Sequence, residues 1–114
     1  MWKTIDREEL FRKHRTSPGR FLLVDVRDRD EYEEEHIKGA ISIPLREVNM
    51  RAKTFELDRE IIVYCGSFTC QMSVKAAKIL TGKGFKDVVE YEGGLLDWKG
   101  AGLPTEGRSK VRAA

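Results

Sequence analysis

Apolar residues along the chain form either continuous runs or helically spaced sets. Continuous runs at residues 21–27 (FLLVDVR) and 60–65 (EIIVYC) lack the alternation of a half-exposed strand, so they predict strands covered on both faces. Residues 87–94 (DVVEYEGG) predict a further strand closed by paired glycines. The alternating segment 41–45 (ISIPL) predicts a short strand or an edge strand, because Pro44 interrupts it.

Helical spacing is clearest between Met72 and Leu80, a segment that we expect to end near Gly82. A short helix is predicted near the start of the chain, with Thr4 or Asp6 as its N-cap. We expect a helix of one or two turns to end at Gly39. The segments predicted to be helical besides 72–80 are residues 4–14, 28–39, 45–58 and 95–102.

Strands that alternate with helices through one short chain predict an α/β fold with a small, mostly parallel central sheet flanked by helices. The 114 residues are enough for one domain with one core, which we place at residues 1–106. Residues 107–114 contain little apolar material and are predicted to form a flexible tail. In such sheets, sites lie at the carboxyl ends of the strands.

The composition excludes some functions. Net charge is only +2, although 35% of residues are charged and both signs are mixed along the chain, which argues against a nucleic-acid partner. No segment approaches the about 20 apolar residues of a membrane span, and the N-terminus lacks a signal-peptide core, so we expect no membrane partner and a cytoplasmic location. One asparagine and one glutamine among many charged residues are typical of a thermophile.

Cys65 ends the strongest predicted strand and precedes small residues and then a helix. Such a junction presents unpaired backbone N–H groups and the positive end of a helix dipole, so we expect the pKa of Cys65 to fall. A single cysteine is more often a small buried hydrophobe, but this position favours a nucleophile. Zinc is not indicated, because two cysteines and two remote histidines lack the usual ligand spacing.

Two flanking motifs resemble the rhodanese family of single-domain sulfurtransferases. Residues 22–45 (LLVDVRDRDEYEEEHIKGAISIPL) are similar to its amino-terminal signature, and residues 84–104 (GFKDVVEYEGGLLDWKGAGLP) to its carboxy-terminal one. The resemblance covers residues 4–106 and implies a three-layer rhodanese-like fold. It also implies a Cys65 persulfide that takes sulfur from thiosulfate, polysulfide or a persulfide and passes it to cyanide, a thiol or a sulfur-accepting protein.

The resemblance further implies a site without a metal or an organic cofactor, in which backbone N–H groups of the loop hold the persulfide anion. Asp25, Arg27 and His36 are expected to brace the fold around the loop. Gly93, Gly94 and Trp98 are expected to be structural. The loop donors are expected to be Gly66, Ser67, Phe68, Thr69 and Cys70.

The loop departs from the family pattern Cys-x-x-Gly-x-Arg-Ser. Cys70 stands in the arginine position, Phe68 replaces the glycine, and the serine appears two positions late, at Ser73. Lys75 or Arg46 could supply the missing cation. Cys70 of this Cys-x4-Cys loop then has three interpretations: a packed small hydrophobe, a resolving thiol that attacks a Cys65 persulfide, or a second sulfur relay.

Two other classes of function stay open. Related phosphatases and arsenate reductases use Cys-x5-Arg, but the next arginine after Cys65 is Arg108, which argues against a phosphatase. A dithiol arsenate reductase that uses Cys70 is a remaining alternative. So is a non-catalytic or regulatory rhodanese-like binding module, although such modules commonly lack the cysteine that this chain keeps.

Overall fold

The computed structural model describes residues 1–109 and confirms the α/β class. Short 3₁₀ turns at Leu45–Glu47 and Ala52–Thr54 flank the third helix, so the predicted segment 45–58 is helical only as far as Thr54 and is broken into three pieces. Residues 110–114, part of the predicted tail, lie outside the described residues, and the boundary at residue 106 stays a prediction. The strands and helices are β1 Lys3–Ile5, α1 Arg7–Thr16, β2 Leu22–Asp25, α2 Arg29–Glu34, β3 His36–Ile37, β4 Ile41–Ser42, α3 Val48–Arg51, β5 Ile61–Tyr64, α4 Met72–Gly82, β6 Val88–Tyr91, α5 Gly94–Gly100 and β7 Thr105–Glu106.

Five parallel strands form the central sheet in the order β1-β6-β5-β2-β4. The register places Asp25 on β2 and Tyr91 on β6 on either side of Tyr64 on β5. The carboxyl ends of these three strands therefore lie in one row. Because β5 occupies the middle, the residue after Tyr64 emerges at the centre of that edge.

Helices cover both faces of the sheet, which gives the predicted three layers. Alternate side chains of β5 point to opposite faces: Val63 packs with residues of α3 and α4, and Ile62 packs with residues of α1 and α5. Ala76 and Ala77 of α4 are fully buried, and their small side chains let that helix lie close to the sheet. The continuous aliphatic run of β5 is explained by this two-sided burial.

A second, two-stranded sheet was not predicted. β3 and β7 pair in antiparallel fashion, with His36 opposite Glu106 and Ile37 opposite Thr105. For this reason α2 ends at Glu34, and the prediction that the helix continues to Gly39 is wrong. The partner strand lies about seventy positions away in sequence, so no local pattern reports the pairing. β1, which adds to the edge of the main sheet beside β6, was missed for the same reason.

A buried ion pair fixes the end of β2. The Asp25 carboxylate is fully buried and accepts hydrogen bonds from the Arg27 backbone N–H (3.0 Å) and from Nε (3.0 Å) and Nη2 (2.8 Å) of its guanidinium. Arg27 Nη2 also donates to the Glu35 carbonyl oxygen at 2.7 Å, which joins β2 to the end of α2. Nearby, His36 stacks on Tyr32 with ring centroids 3.7 Å apart. These contacts support the bracing role proposed for Asp25, Arg27 and His36.

We predict that Arg27→Ala lowers the free energy of unfolding by about 3–5 kcal/mol, because it leaves the Asp25 carboxylate buried without its cation. Arg46→Ala is the matched control: it removes a guanidinium that lies 3.6 Å from Asp28 at the surface, where an ion pair contributes about 1 kcal/mol or less. Urea unfolding of both variants measures the difference. Equal losses in the two variants would contradict the bracing role of Arg27.

Candidate active site

Cys65 lies directly after β5 at the centre of the carboxyl edge of the sheet, and only 1% of its surface is exposed. Its neighbour Tyr64 is fully buried, and the Tyr64 hydroxyl accepts a hydrogen bond from the Ile37 N–H (3.0 Å), which ties β5 to β3. The start of the loop is fixed as well, because the first turn of α5 donates to the carbonyl oxygens of Cys65 and Gly66 (both 2.9 Å).

Gly94 makes this contact between α5 and the loop feasible. Its φ of +67° is in the left-handed region. A Cβ atom at this position would lie 2.5 Å from the Cys65 carbonyl oxygen and 2.8 Å from the Ser67 nitrogen, closer than side chains pack. The predicted core position of Trp98 is confirmed: it is fully buried, and its indole N–H donates to the Pro104 carbonyl oxygen at 2.8 Å.

The loop between Cys65 and α4 is held by its own polar groups. The Cys70 N–H donates to the Ser67 carbonyl oxygen (3.1 Å), so this proposed donor is already engaged inside the loop. The Ser67 and Thr69 hydroxyls lie 3.1 Å apart, and the Phe68 side chain is 67% exposed. The role of the Ser67, Phe68 and Thr69 N–H groups as substrate donors stays a prediction.

The two cysteines are free thiols in very different surroundings. Burial raises the pKa of Cys65, and contact with the Cys70 sulfur raises it further. The Ser73 hydroxyl, whenever its hydrogen faces the sulfur, and the Ser73 N–H act in the opposite direction. For Cys70, burial acts to raise the pKa. The neighbouring Cys65 thiol and the N–H groups of Gly66 and Met72 stabilise the anion and outweigh burial, so the pKa of Cys70 is lowered.

The expectation that the pKa of Cys65 falls is therefore wrong. The side chain of Cys65 points into the core cluster on the α4 side of the sheet, where an anion loses hydration. The N–H groups of Gly66 and Met72 favour an anion on the Cys70 sulfur rather than on Cys65, and Met72 was not among the predicted donors. The role of the Gly66 N–H as a substrate donor stays a prediction. The half-buried position of Cys70 gives its thiolate partial access to water.

Two polar groups behind Cys65 complete the site. The Cys65 thiol donates to the Ser73 hydroxyl (Sγ to Oγ, 3.3 Å), and Ser73 Oγ donates to Glu90 Oε2 (2.8 Å). Glu90 was missed in the sequence, although a carboxylate inside the buried strand segment VVEY was an available signal.

Two cations were considered as replacements for the missing loop arginine. Arg46 pairs with Asp28, and Lys75 is exposed on α4.

Within residues 1–109 there is no group of three or more His, Cys, Asp or Glu side chains arranged to hold a metal ion. The same part of the chain contains no helix of the length and apolarity needed to cross a membrane.

Comparison with known proteins gives concordant matches. Residues 8–101 match the family described as rhodanese-like domain. The thiosulfate sulfurtransferase GlpE of Coxiella burnetii is 35% identical over 89 residues, which cover 78% of this chain and 80% of that protein. The rhodanese-like domain of an Anabaena protein, solved by solution NMR, aligns with a TM-score of 0.87 and 34% identity, covering 98% of this chain and 84% of that one.

A regulatory protein is also among the relatives. An HTH-type transcriptional regulator of Mycobacterium tuberculosis is 40% identical over 102 residues, which cover 90% of this chain but 44% of the regulator. The chain spans about half the length of three curated relatives, between 44% and 49%.

We predict that Cys70 reacts before Cys65 when the protein is treated with a limiting amount of iodoacetamide at about pH 7, because the thiolate is the reactive form and the pKa of Cys70 is the lowered one. Mass spectrometry with peptide fragmentation assigns the label to each cysteine. In protein unfolded in urea, the two initial rates should converge. Faster labelling of Cys65 in the folded protein would contradict the assignment.

Proposed function

The chain belongs to the rhodanese-like domain family, and we propose that it moves sulfane sulfur from a donor to a thiophilic acceptor through a persulfide on Cys65. One observation carries the proposal: Cys65 follows the central strand β5 at the carboxyl edge, next to the N–H groups of Gly66 and Met72, which favour a negative charge on the neighbouring sulfur of Cys70. The similarity to a protein named thiosulfate sulfurtransferase supports the same chemistry.

The reaction begins with a proton transfer, because Cys65 rests as a thiol. The nearest base is the thiolate form of Cys70, whose pKa is lowered and whose sulfur interacts with that of Cys65. Passing the proton from Cys65 to Cys70 leaves a Cys65 thiolate and a neutral Cys70, so the donor approaches a loop with no second negative charge. The unequal acidities oppose this transfer, and the nucleophilic form of Cys65 is therefore a minor species between turnovers.

The Cys65 thiolate then attacks the outer sulfur of the donor. With thiosulfate, the new S–S bond forms as the S–S bond of the donor breaks, and sulfite leaves with the bonding electron pair. Attack of cyanide or a thiolate on the outer sulfur of the persulfide forms thiocyanate or a new persulfide and returns the Cys65 thiolate. Backbone N–H groups of the loop stabilise the diffuse charge of the persulfide without a cofactor.

The kind of sulfur donor depends on the fact that Cys70 stands where the family pattern has an arginine. A guanidinium at this position would pair with a doubly charged donor, whereas Cys70 brings a sulfur of lowered pKa. Thiosulfate therefore has no cation to anchor it at this position, and it meets repulsion whenever Cys70 has not yet taken up the proton of Cys65. We propose that thiol persulfides, whose sulfur chain lacks the second charge of thiosulfate, are better donors than thiosulfate for this chain, with a thiol or a sulfur-accepting protein as the acceptor.

A second candidate function is a regulatory module that senses sulfur instead of transferring it. The specific observation in its favour is the 40% identity to an HTH-type transcriptional regulator over most of this chain. Both functions can begin with a modified Cys65, and they differ in turnover. A transferase returns to the thiol with each acceptor molecule, whereas a sensor keeps the modification until it is reduced.

We predict that incubation with polysulfide adds one sulfur atom to the protein at Cys65, and that cyanide then removes it and releases thiocyanate. Cys65→Ser should abolish both events, because the hydroxyl is far less acidic and less nucleophilic than the thiol. Intact mass, peptide mapping and thiocyanate release provide the readouts, with circular dichroism to verify folding. Failure to label Cys65 with any sulfane donor would overturn the proposed function, while a label that no acceptor removes would favour the sensor.

We predict a resolving role for Cys70, in which its thiolate attacks the inner sulfur of a protonated Cys65 persulfide, forms a Cys65–Cys70 disulfide and releases hydrosulfide. Cys70→Ser should lengthen the lifetime of the persulfide several-fold and suppress sulfide release in the absence of an acceptor. Time-resolved intact mass and a sulfide assay measure the two effects. Thr69→Ser is a control in the same loop that keeps both thiols. An unchanged persulfide lifetime in Cys70→Ser would show that Cys70 only packs.

A further inference from the structure

Glu90 is a charged residue in a place where charge is costly. It lies inside β6, on the α4 side of the central sheet, and only 4% of its surface is exposed. Both carboxylate oxygens are engaged: Oε2 accepts from the Ser73 hydroxyl (2.8 Å) and Oε1 from the indole N–H of Trp2 (3.2 Å). A buried carboxylate with two specific donors is a fixed acceptor, and its orientation is not free to change.

Ser73 stands between this carboxylate and Cys65. A serine hydroxyl has one hydrogen, and here that hydrogen is directed to Glu90. The oxygen of the same hydroxyl accepts from the Cys65 thiol, with 3.3 Å between Sγ and Oγ. The donors therefore run in one direction, from Cys65 to Ser73 to Glu90, and this direction requires the sulfur to carry its proton.

We propose that Glu90 is a positioning residue that holds the single hydrogen of the Ser73 hydroxyl, denies it to the Cys65 sulfur and thereby keeps Cys65 protonated until a donor arrives. A Cys65 thiolate needs the hydroxyl to turn and donate to sulfur, which breaks the bond to the carboxylate. A hydrogen bond to a carboxylate at this distance is stronger than one between neutral groups. In the resting protein the Ser73 hydrogen is therefore directed to Glu90 and not to the Cys65 sulfur. In the proposed function on which this inference rests, this contact limits the reactivity of Cys65 between turnovers.

Other charged and titratable groups act on the same sulfur atoms and strands. Cys70 faces Cys65 directly, and the Glu31 carboxylate acts on Cys70. On β1, which pairs with β6, the Lys3 ammonium lies 3.4 Å from Asp87. Lys75 and Lys78 of α4 are exposed. Within this set, Glu90 is the carboxylate that accepts a hydrogen bond from Ser73, which in turn contacts Cys65. A Glu90 variant therefore tests the hydrogen bond between Ser73 and Glu90.

The experiment measures the rate at which iodoacetamide alkylates Cys65 as a function of pH, in the full chain and without any sulfur donor. In Glu90→Gln, the amide can donate to Ser73 Oγ and the hydroxyl hydrogen becomes available to sulfur. We expect the midpoint of the Cys65 profile to fall by about one pH unit, and alkylation below the midpoint to be about tenfold faster. Glu92→Gln, an exposed change of the same charge two positions along, should leave the midpoint in place.

Two further variants separate the hydrogen bond from the charge. Glu90→Asp keeps a carboxylate but shortens its reach to Ser73, so its midpoint should also fall, and this variant decides the question if Glu90→Gln does not fold. In a Ser73→Ala background, Glu90→Gln should shift the midpoint by less than half as much. An unchanged or raised midpoint in the Glu90 variants, or a full shift without the Ser73 hydroxyl, would overturn the proposal.

The alkylation profile is independent of sulfur transfer. A shifted profile together with no persulfide at Cys65 would reject the proposed function and keep the role of Glu90. A normal persulfide together with an unshifted profile would do the reverse.

Discussion

Burial of the central strand on both faces is the constraint on which the site depends. All four residues of β5 are buried, so neither face of the strand exposes a side chain to a substrate. Reactive groups can be exposed only where the strand ends. Register with β2 and β6 places Asp25 and Tyr91 at the same level as Tyr64. Cys65 consequently emerges at the edge of a sheet whose neighbouring strand ends are fixed, and it keeps its side chain in the core.

This burial explains why the two sulfur atoms differ. Each member of a Cys-x4-Cys loop would have similar acidity in an extended peptide, yet one sulfur lies among core side chains and the other accepts backbone N–H bonds. Contact between them strengthens the contrast, since a proton on Cys65 stabilises a negative charge on Cys70. Loss of a proton from one sulfur therefore affects the other, and the titration belongs to both residues.

Local patterns predicted the parts of the fold that are locally determined. The aliphatic run of β5 and the helical spacing of α4 were sufficient for those elements, and the strand end and the family motifs indicated Cys65 as the candidate nucleophile. β3, β7 and β1 were missed because each is held by a partner strand far away in sequence. The direction of the pKa shift of Cys65 was predicted wrongly. A sequence indicates that a loop has free N–H groups, but it does not show which of two sulfur atoms lies close to them. A carboxylate inside the buried strand segment VVEY was visible in the sequence. Its role could not be predicted, because the sequence does not show that Glu90 accepts a hydrogen bond from Ser73.

The contact between Gly94 and the loop is one link in a series of contacts that surrounds the site. The loop carbonyls accept from α5, α5 leads through Trp98 to β7, β7 pairs with β3, and the Ile37 N–H of β3 returns to the Tyr64 hydroxyl next to Cys65. The contacts that shape the site thus form a closed circuit within a single chain. Because each of these contacts joins two residues of this chain, the circuit can form without a residue from a neighbouring domain, which suits a chain that matches 44% of the length of a longer relative.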